Sequence, residues 1–162
     1  ETKTRKEYKI ALEQNITIEW GKTLNLTIEN EKMKGKVKIT KISEDDNLIT
    51  GEVAGTPIAN VKFEIYDDSG KLVDTLITKA DGIAISKDLV VGKYIVKEKE
   101  TGEYYEINEN DFEVEITKNG EVVGLTISNK SKTPPPEKPK EETPKIEVPP
   151  IEPIKKLPVT GY

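Results

Sequence analysis

The sequence predicts an all-β fold built as a β-sandwich. Three observations carry this. Short runs rich in Val, Ile, Thr and Tyr recur between residues 35 and 130, and they alternate apolar with polar residues. Gly-, Asp- and Asn-containing turns separate them. Roughly seven such strands in about 95 residues is the spacing of a two-sheet sandwich.

The elements follow in order. Val37 to Ile42 is β-rich and mostly alternating, and Val61 to Tyr66 alternates more cleanly. Asp67-Asp68-Ser69-Gly70 turns the chain into a strand from Lys71 to Thr78, and Asp81-Gly82 turns it again before Ile83 to Ser86. Lys93 to Lys99 forms a further strand. Phe112 to Lys118 and Glu121 to Ser128 flank Asn119-Gly120, a hairpin signal because both turn positions tolerate positive φ.

Composition narrows the chemistry. The 162 residues carry a formal charge of −5, no Cys and no His. Disulfides, Cys/His zinc sites and His-based catalysis are therefore out of reach. Lys and Glu are interspersed, which describes a solvated surface and not a nucleic-acid patch. No phosphate-binding loop or nucleophile elbow is present, and no cofactor is expected. Glu44-Asp45-Asp46-Asn47 offers oxygen ligands for calcium but lacks the spaced loop pattern, so it reads as an acidic surface loop.

The two ends differ from the middle. Residues 1 to 34 look like a partial copy of the end of the 35–130 domain. Leu26-Thr27-Ile28-Glu29-Asn30 echoes Leu125-Thr126-Ile127-Ser128-Asn129, and Ile16 to Lys22 echoes Val114 to Glu121 within about one residue. A repeat of one domain length points to tandem modules, with 1–34 supplying the last strands of a preceding one. At the other end, nine of the ten prolines lie from Pro134 to Pro158, mixed with Lys and Glu. Such a segment cannot bury a core, so 131–156 is expected to be a disordered, extended linker reaching roughly 80 Å at ~3.1 Å per residue.

Three polar residues stand where the strand pattern asks for apolar ones. Val37, Ile39 and Lys41 share a face by period two; so do Tyr94, Val96 and Glu98, and Leu125, Ile127 and Asn129. Each apolar stripe ends in an amine, a carboxyl or a carboxamide. Buried singly each group would be costly; buried together they can react. A desolvated amine is driven toward its neutral, nucleophilic form. The Asn129 carboxamide carbon is then the electrophile. Glu98, in its protonated form, can polarise the carboxamide and relay protons as ammonia leaves. The product is an amide between side chains, formed once, so the chain is not an enzyme with turnover.

Lys36 to Lys41, Gly92 to Glu98 and Leu125 to Asn129 resemble the three signature strands of Cna B-type domains (SpaA-like, prealbumin-like), and Gly55 to Tyr66 resembles the loop into that family's second strand. The resemblance covers about 35 to 130. It implies an Ig-like, prealbumin-like sandwich and a self-generated Lys41–Asn129 isopeptide bond with Glu98 as the catalytic acid. The segment Lys99-Glu-Thr-Gly-Glu-Tyr104 is shorter than the family's usual one and lacks its Pro, which makes Glu100, on the same strand face, the fallback.

Residues 157–162 close the chain with Leu157-Pro158-Val159-Thr160-Gly161, which resembles the LPXTG signal read by sortase transpeptidases. Pro158 fixes an extended bend, and Gly161 leaves room for a nucleophile to reach the Thr160 carbonyl. The resemblance implies cleavage after Thr160 and attachment to peptidoglycan. The signal is truncated here, since a full one continues into an apolar helix and a basic tail. Together the readings describe a monomeric stalk module at the surface of a Gram-positive cell, with sortase and the cell wall as partners. A host or matrix ligand would be bound through other modules. Alternatives are a ligand-binding adhesin domain or a pilin subunit.

Overall fold

The computed structural model describes residues 5–134. The sorting signal at Leu157–Gly161 and nearly all of the Pro-rich linker lie outside those residues. Among the described residues there are eight strands and no helix: β1 Lys34–Ser43, β2 Lys62–Asp67, β3 Leu72–Ile77, β4 Ile83–Ile85, β5 Leu89–Val90, β6 Gly92–Glu100, β7 Asp111–Ile116 and β8 Val122–Asn129. They form two four-stranded sheets.

In the first sheet β1 is central. β8 runs parallel along it from Lys36↔Val122 to Ser43↔Asn129, while β4 and β5 pair antiparallel with successive parts of β1. The second sheet is antiparallel throughout, in the order β3-β2-β6-β7. Alternation decides which residues meet between the sheets. From β1 the inward set is Val37, Ile39, Lys41 and Ser43; from β2 it is Phe63 and Ile65; from β6 Tyr94, Val96 and Glu98. Val114 and Ile116 of β7 and Ile127 of β8 pack into the same core, with Ile58, Val61, Leu76, Ala84, Leu89 and Tyr105 around them.

The turn at Asn119-Gly120 does not make the expected hairpin. β7 and β8 belong to different sheets, so the turn hands the chain from one layer to the other. The reason is hydrogen bonding to the distant β1: Gly120 N–H donates to the Lys34 carbonyl and Lys36 N–H donates to the Glu121 carbonyl, while within the turn the Glu121 carboxylate accepts the N–H groups of Thr117 and Lys118. Strand β5 carried no signal in the sequence because two residues show no period.

The strands expected around residues 16–22 and 26–30 are not formed. Residues 9–31 instead make an arm closed at its base by the Tyr8↔Lys32 bridge, with Lys9 N–H to the Glu31 carbonyl and Met33 N–H to the Glu7 carbonyl. Its apolar residues are exposed, and an isolated hairpin without a sheet to cover it is marginal in water. Beyond β8, Ser131 and Lys132 stay docked through the Tyr105↔Ser131 bridge and the bond from Lys132 N–H to the Tyr104 carbonyl.

Candidate functional site

The end of β1 sets the first side chain. Period two carries Val37, Ile39 and then Lys41 into the space between the sheets, where Lys41 is 0 % exposed. Across that space, β6 brings Glu98 inward opposite Phe63 of β2. The third side chain comes from β8, whose in-register parallel pairing sets Asn129 opposite Ser43, two residues beyond Lys41. Glu98 is 5 % and Asn129 2 % exposed, so all three polar groups are removed from water.

The three satisfy one another. Lys41 Nζ donates to Glu98 Oε2 at 2.9 Å and to Asn129 Oδ1, while Asn129 Nδ2 donates to Glu98 Oε1 at 2.5 Å. The Phe63 ring lies 5.9 Å from the amine and walls it from solvent. Burial pulls the Lys41 pKa below the usual amine value, and the carboxylate of Glu98 opposes that pull. Burial thus favours the neutral, nucleophilic form of the Lys41 amine, which faces the Asn129 carboxamide with the Glu98 carboxyl against both.

Glu100 does not join this cluster. The β2–β6 register shifts between Lys62 and Phe63, so Lys62 pairs with Glu100 and Phe63 with Glu98. The irregularity breaks the period, and Glu100 is exposed in an ion pair with Lys62 at 2.8 Å. Thr101 is a neighbour that periodicity did not single out. Its Oγ1 accepts a hydrogen bond from Asn129 Nδ2 at 2.8 Å. It follows the end of β6, where strand alternation stops and no longer points to a face.

The acidic loop has its own local partners. Asp45 Oδ1 accepts the Ser131 N–H, Asp46 Oδ1 the Ala54 N–H, and Asn47 Oδ1 the N–H groups of Ile49 and Thr50. These bonds fold the loop and use oxygens a cation would need. No cluster of metal-ligating side chains occurs among the described residues.

A family model described as SpaA, prealbumin-like fold domain, matches residues 35–131. The chain is 33 % identical over 81 residues to the trypsin-resistant surface T6 protein of Streptococcus pyogenes serotype M6, covering 50 % of this chain and 15 % of that protein. It is 34 % identical over 99 residues to a collagen adhesin of Staphylococcus aureus, covering 52 % of this chain and 8 % of that protein. Among solved structures, the Bacillus anthracis TIE protein aligns with a TM-score of 0.64 and 32 % identity, over 77 % of this chain and 23 % of that one. The minor pilin GBS52 of Streptococcus agalactiae aligns with a TM-score of 0.52 and 26 % identity, over 67 % and 50 % respectively. The chain thus spans only a small part of the curated relatives it matches.

Proposed function

Because the chain belongs to the SpaA family of prealbumin-like fold domains, we propose that it is a load-bearing stalk module of a Gram-positive surface protein, closed by an amide between Lys41 and Asn129. The observation that carries this reading is the buried contact of amine, carboxyl and carboxamide at the ends of β1, β6 and β8. The neutral Lys41 amine attacks Asn129 Cγ. Glu98 lends its proton to the carboxamide oxygen, takes the proton shed by the amine and passes it to the departing nitrogen, and recovers its own proton as the carbonyl re-forms. One C–N bond forms, one breaks, and ammonia leaves.

The geometry suits a stalk. The chain enters the sandwich at the start of β1 and leaves it after β8, which runs parallel beside it. Tension applied at the two ends therefore shears the β1–β8 ladder, loading its hydrogen bonds together. A covalent bond from Lys41 to Asn129 lies on that same path and takes the intervening residues out of it. Loop-closure entropy for a bridge spanning 88 positions adds roughly 4–5 kcal/mol, comparable to the whole stability of many small domains.

Residues Leu157 to Gly161 supply the anchor in this reading, with sortase as the enzyme and peptidoglycan as the acceptor. Incubating the chain with a sortase and an amine donor should release Gly161-Tyr162 and join the amine to Thr160. Failure of the chain, where a free peptide of residues 157–162 is processed, would remove the anchor. The relatives named as a pilin and a collagen adhesin support a second reading for the whole polypeptide, pilus assembly or matrix binding. Single-molecule pulling tests the load-bearing role. The wild-type chain should gain no extension from residues 42–128, whereas Lys41→Ala should add a step on the order of 300 Å at ~3.4 Å per residue. A full-length step in the wild type would contradict it.

A further inference from the structure

The arm at residues 9–31 reproduces the geometry by which the sandwich ends. Lys22 N–H donates to the Glu19 carbonyl at 3.2 Å, with Gly21 at φ 75°; Glu121 N–H donates to the Lys118 carbonyl at 3.3 Å, with Gly120 at φ 78°. The turns lie 99 residues apart, the same offset that relates Leu26-Thr27-Ile28-Glu29-Asn30 to Leu125-Thr126-Ile127-Ser128-Asn129. On the other side of the turn Ile16 and Ile18 align with Val114 and Ile116, one residue closer to the turn.

The surroundings differ. Ile116 and Ile127 are each 1 % exposed, between the sheets, whereas Ile18 is 73 % and Ile28 47 % exposed. Ile10, Leu12, Ile16, Trp20, Leu24 and Leu26 are exposed as well, all at even positions, while Thr17, Glu19, Asn25, Thr27 and Glu29 hold the odd ones. That is the two-sided pattern of strands built to cover a core. Large apolar residues left exposed at alternate positions, broken only by Gln14 and Lys22, mark an interaction surface.

We infer that residues 14–30 are the closing pair of strands of a second sandwich, and that their apolar faces are covered by the two sheets of a module of the same fold. The complete domain defines the occupant. Its β7 lies antiparallel on β6 in one sheet and its β8 lies parallel on β1 in the other. The halves of the arm would therefore part at Trp20-Gly21 and join opposite layers. Chain order places the remaining strands of that module before residue 14 in the same polypeptide. A second copy of this chain offers no such vacancy, because its own β7 and β8 already fill the two edge positions. The inference rests on the repeat and the turn, and is independent of the Lys41–Asn129 bond.

A graft tests it. In the full chain, residues 112–129 are replaced by a second copy of residues 14–30, which sets Ile16 and Ile18 at the places of Val114 and Ile116 and ends on Asn30 at the place of Asn129. The grafted protein should unfold cooperatively, and its grafted amides should be slow to exchange, as those of β8 are in the wild type. Changing Ile18 and Ile28 to Ala should lower the melting temperature when made in the graft and leave it unchanged when made in the native arm. A graft that does not fold would overturn the inference. So would a concentration-dependent dimer of the wild-type chain that protects residues 14–30, since a second copy would then be the occupant. Absence of the cross-link from folded wild-type protein would sink the proposed function and leave this inference standing.

Discussion

Lys41 shows how one side chain changes meaning with its surroundings. On an exposed strand end it would be an ordinary cation; at the end of the inward stripe of β1 its amine is desolvated and its pKa falls. Glu98 both satisfies that amine and touches the carboxamide it would attack. Replacing Glu98 by Gln keeps the volume and hydrogen-bonding reach but removes the proton relay. Glu98→Gln protein should therefore fold and keep its full, uncross-linked mass, while Glu100→Gln should react like the wild type. Bond formation in Glu98→Gln at the wild-type rate would show that the carboxyl plays no chemical part. The meeting of Lys41, Glu98 and Asn129 was legible because each ends a period-two apolar stripe. Thr101 was not, since it lies past the strand end, where pattern gives no direction.

At the scale of elements, the β1–β8 pair organises both sheet and site. Its in-register parallel pairing sets Asn129 opposite Ser43 and diagonal to Lys41. The close approach of β1 to the turn that precedes β8 depends on Gly35. A Cβ there would sit 2.6 Å from the Glu121 carbonyl oxygen and 2.6 Å from Ile116 Cγ2. Gly35→Ala should lower unfolding free energy by about 1–3 kcal/mol, the usual cost of overpacking. Gly124→Ala, where nothing lies within 4 Å of the added atom, should change it little in the same denaturant titration. Equal effects would mean that the Gly35 contact relaxes freely. Most strands could be read from alternation and turn residues, but the partner of β8 could not. Asn119-Gly120 marks a turn, whereas the choice between pairing with β7 and crossing to β1 is made by hydrogen bonds to Lys34 and Lys36, 85 or more positions away. The strands expected in the arm are not formed for a related reason: their pattern is that of a strand, but no sheet among the described residues covers them.

For the whole molecule, the described residues set two adjacent parallel strands, at the chain's entry and exit, beside a buried polar cluster. Force entering at Lys34 and leaving after Asn129 passes along two adjacent parallel strands, and the three buried polar groups lie at the end of that path. The same long closure that makes such a fold entropically costly is what makes a covalent bridge across it effective. Intact mass of the folded wild-type chain is the direct test of the Lys41–Asn129 amide. The mass should be lower than the sequence by one ammonia, a digest should yield a branched peptide that joins β1 to β8, and Lys41→Ala should keep the full mass. An unmodified mass in fully folded wild-type protein would contradict it.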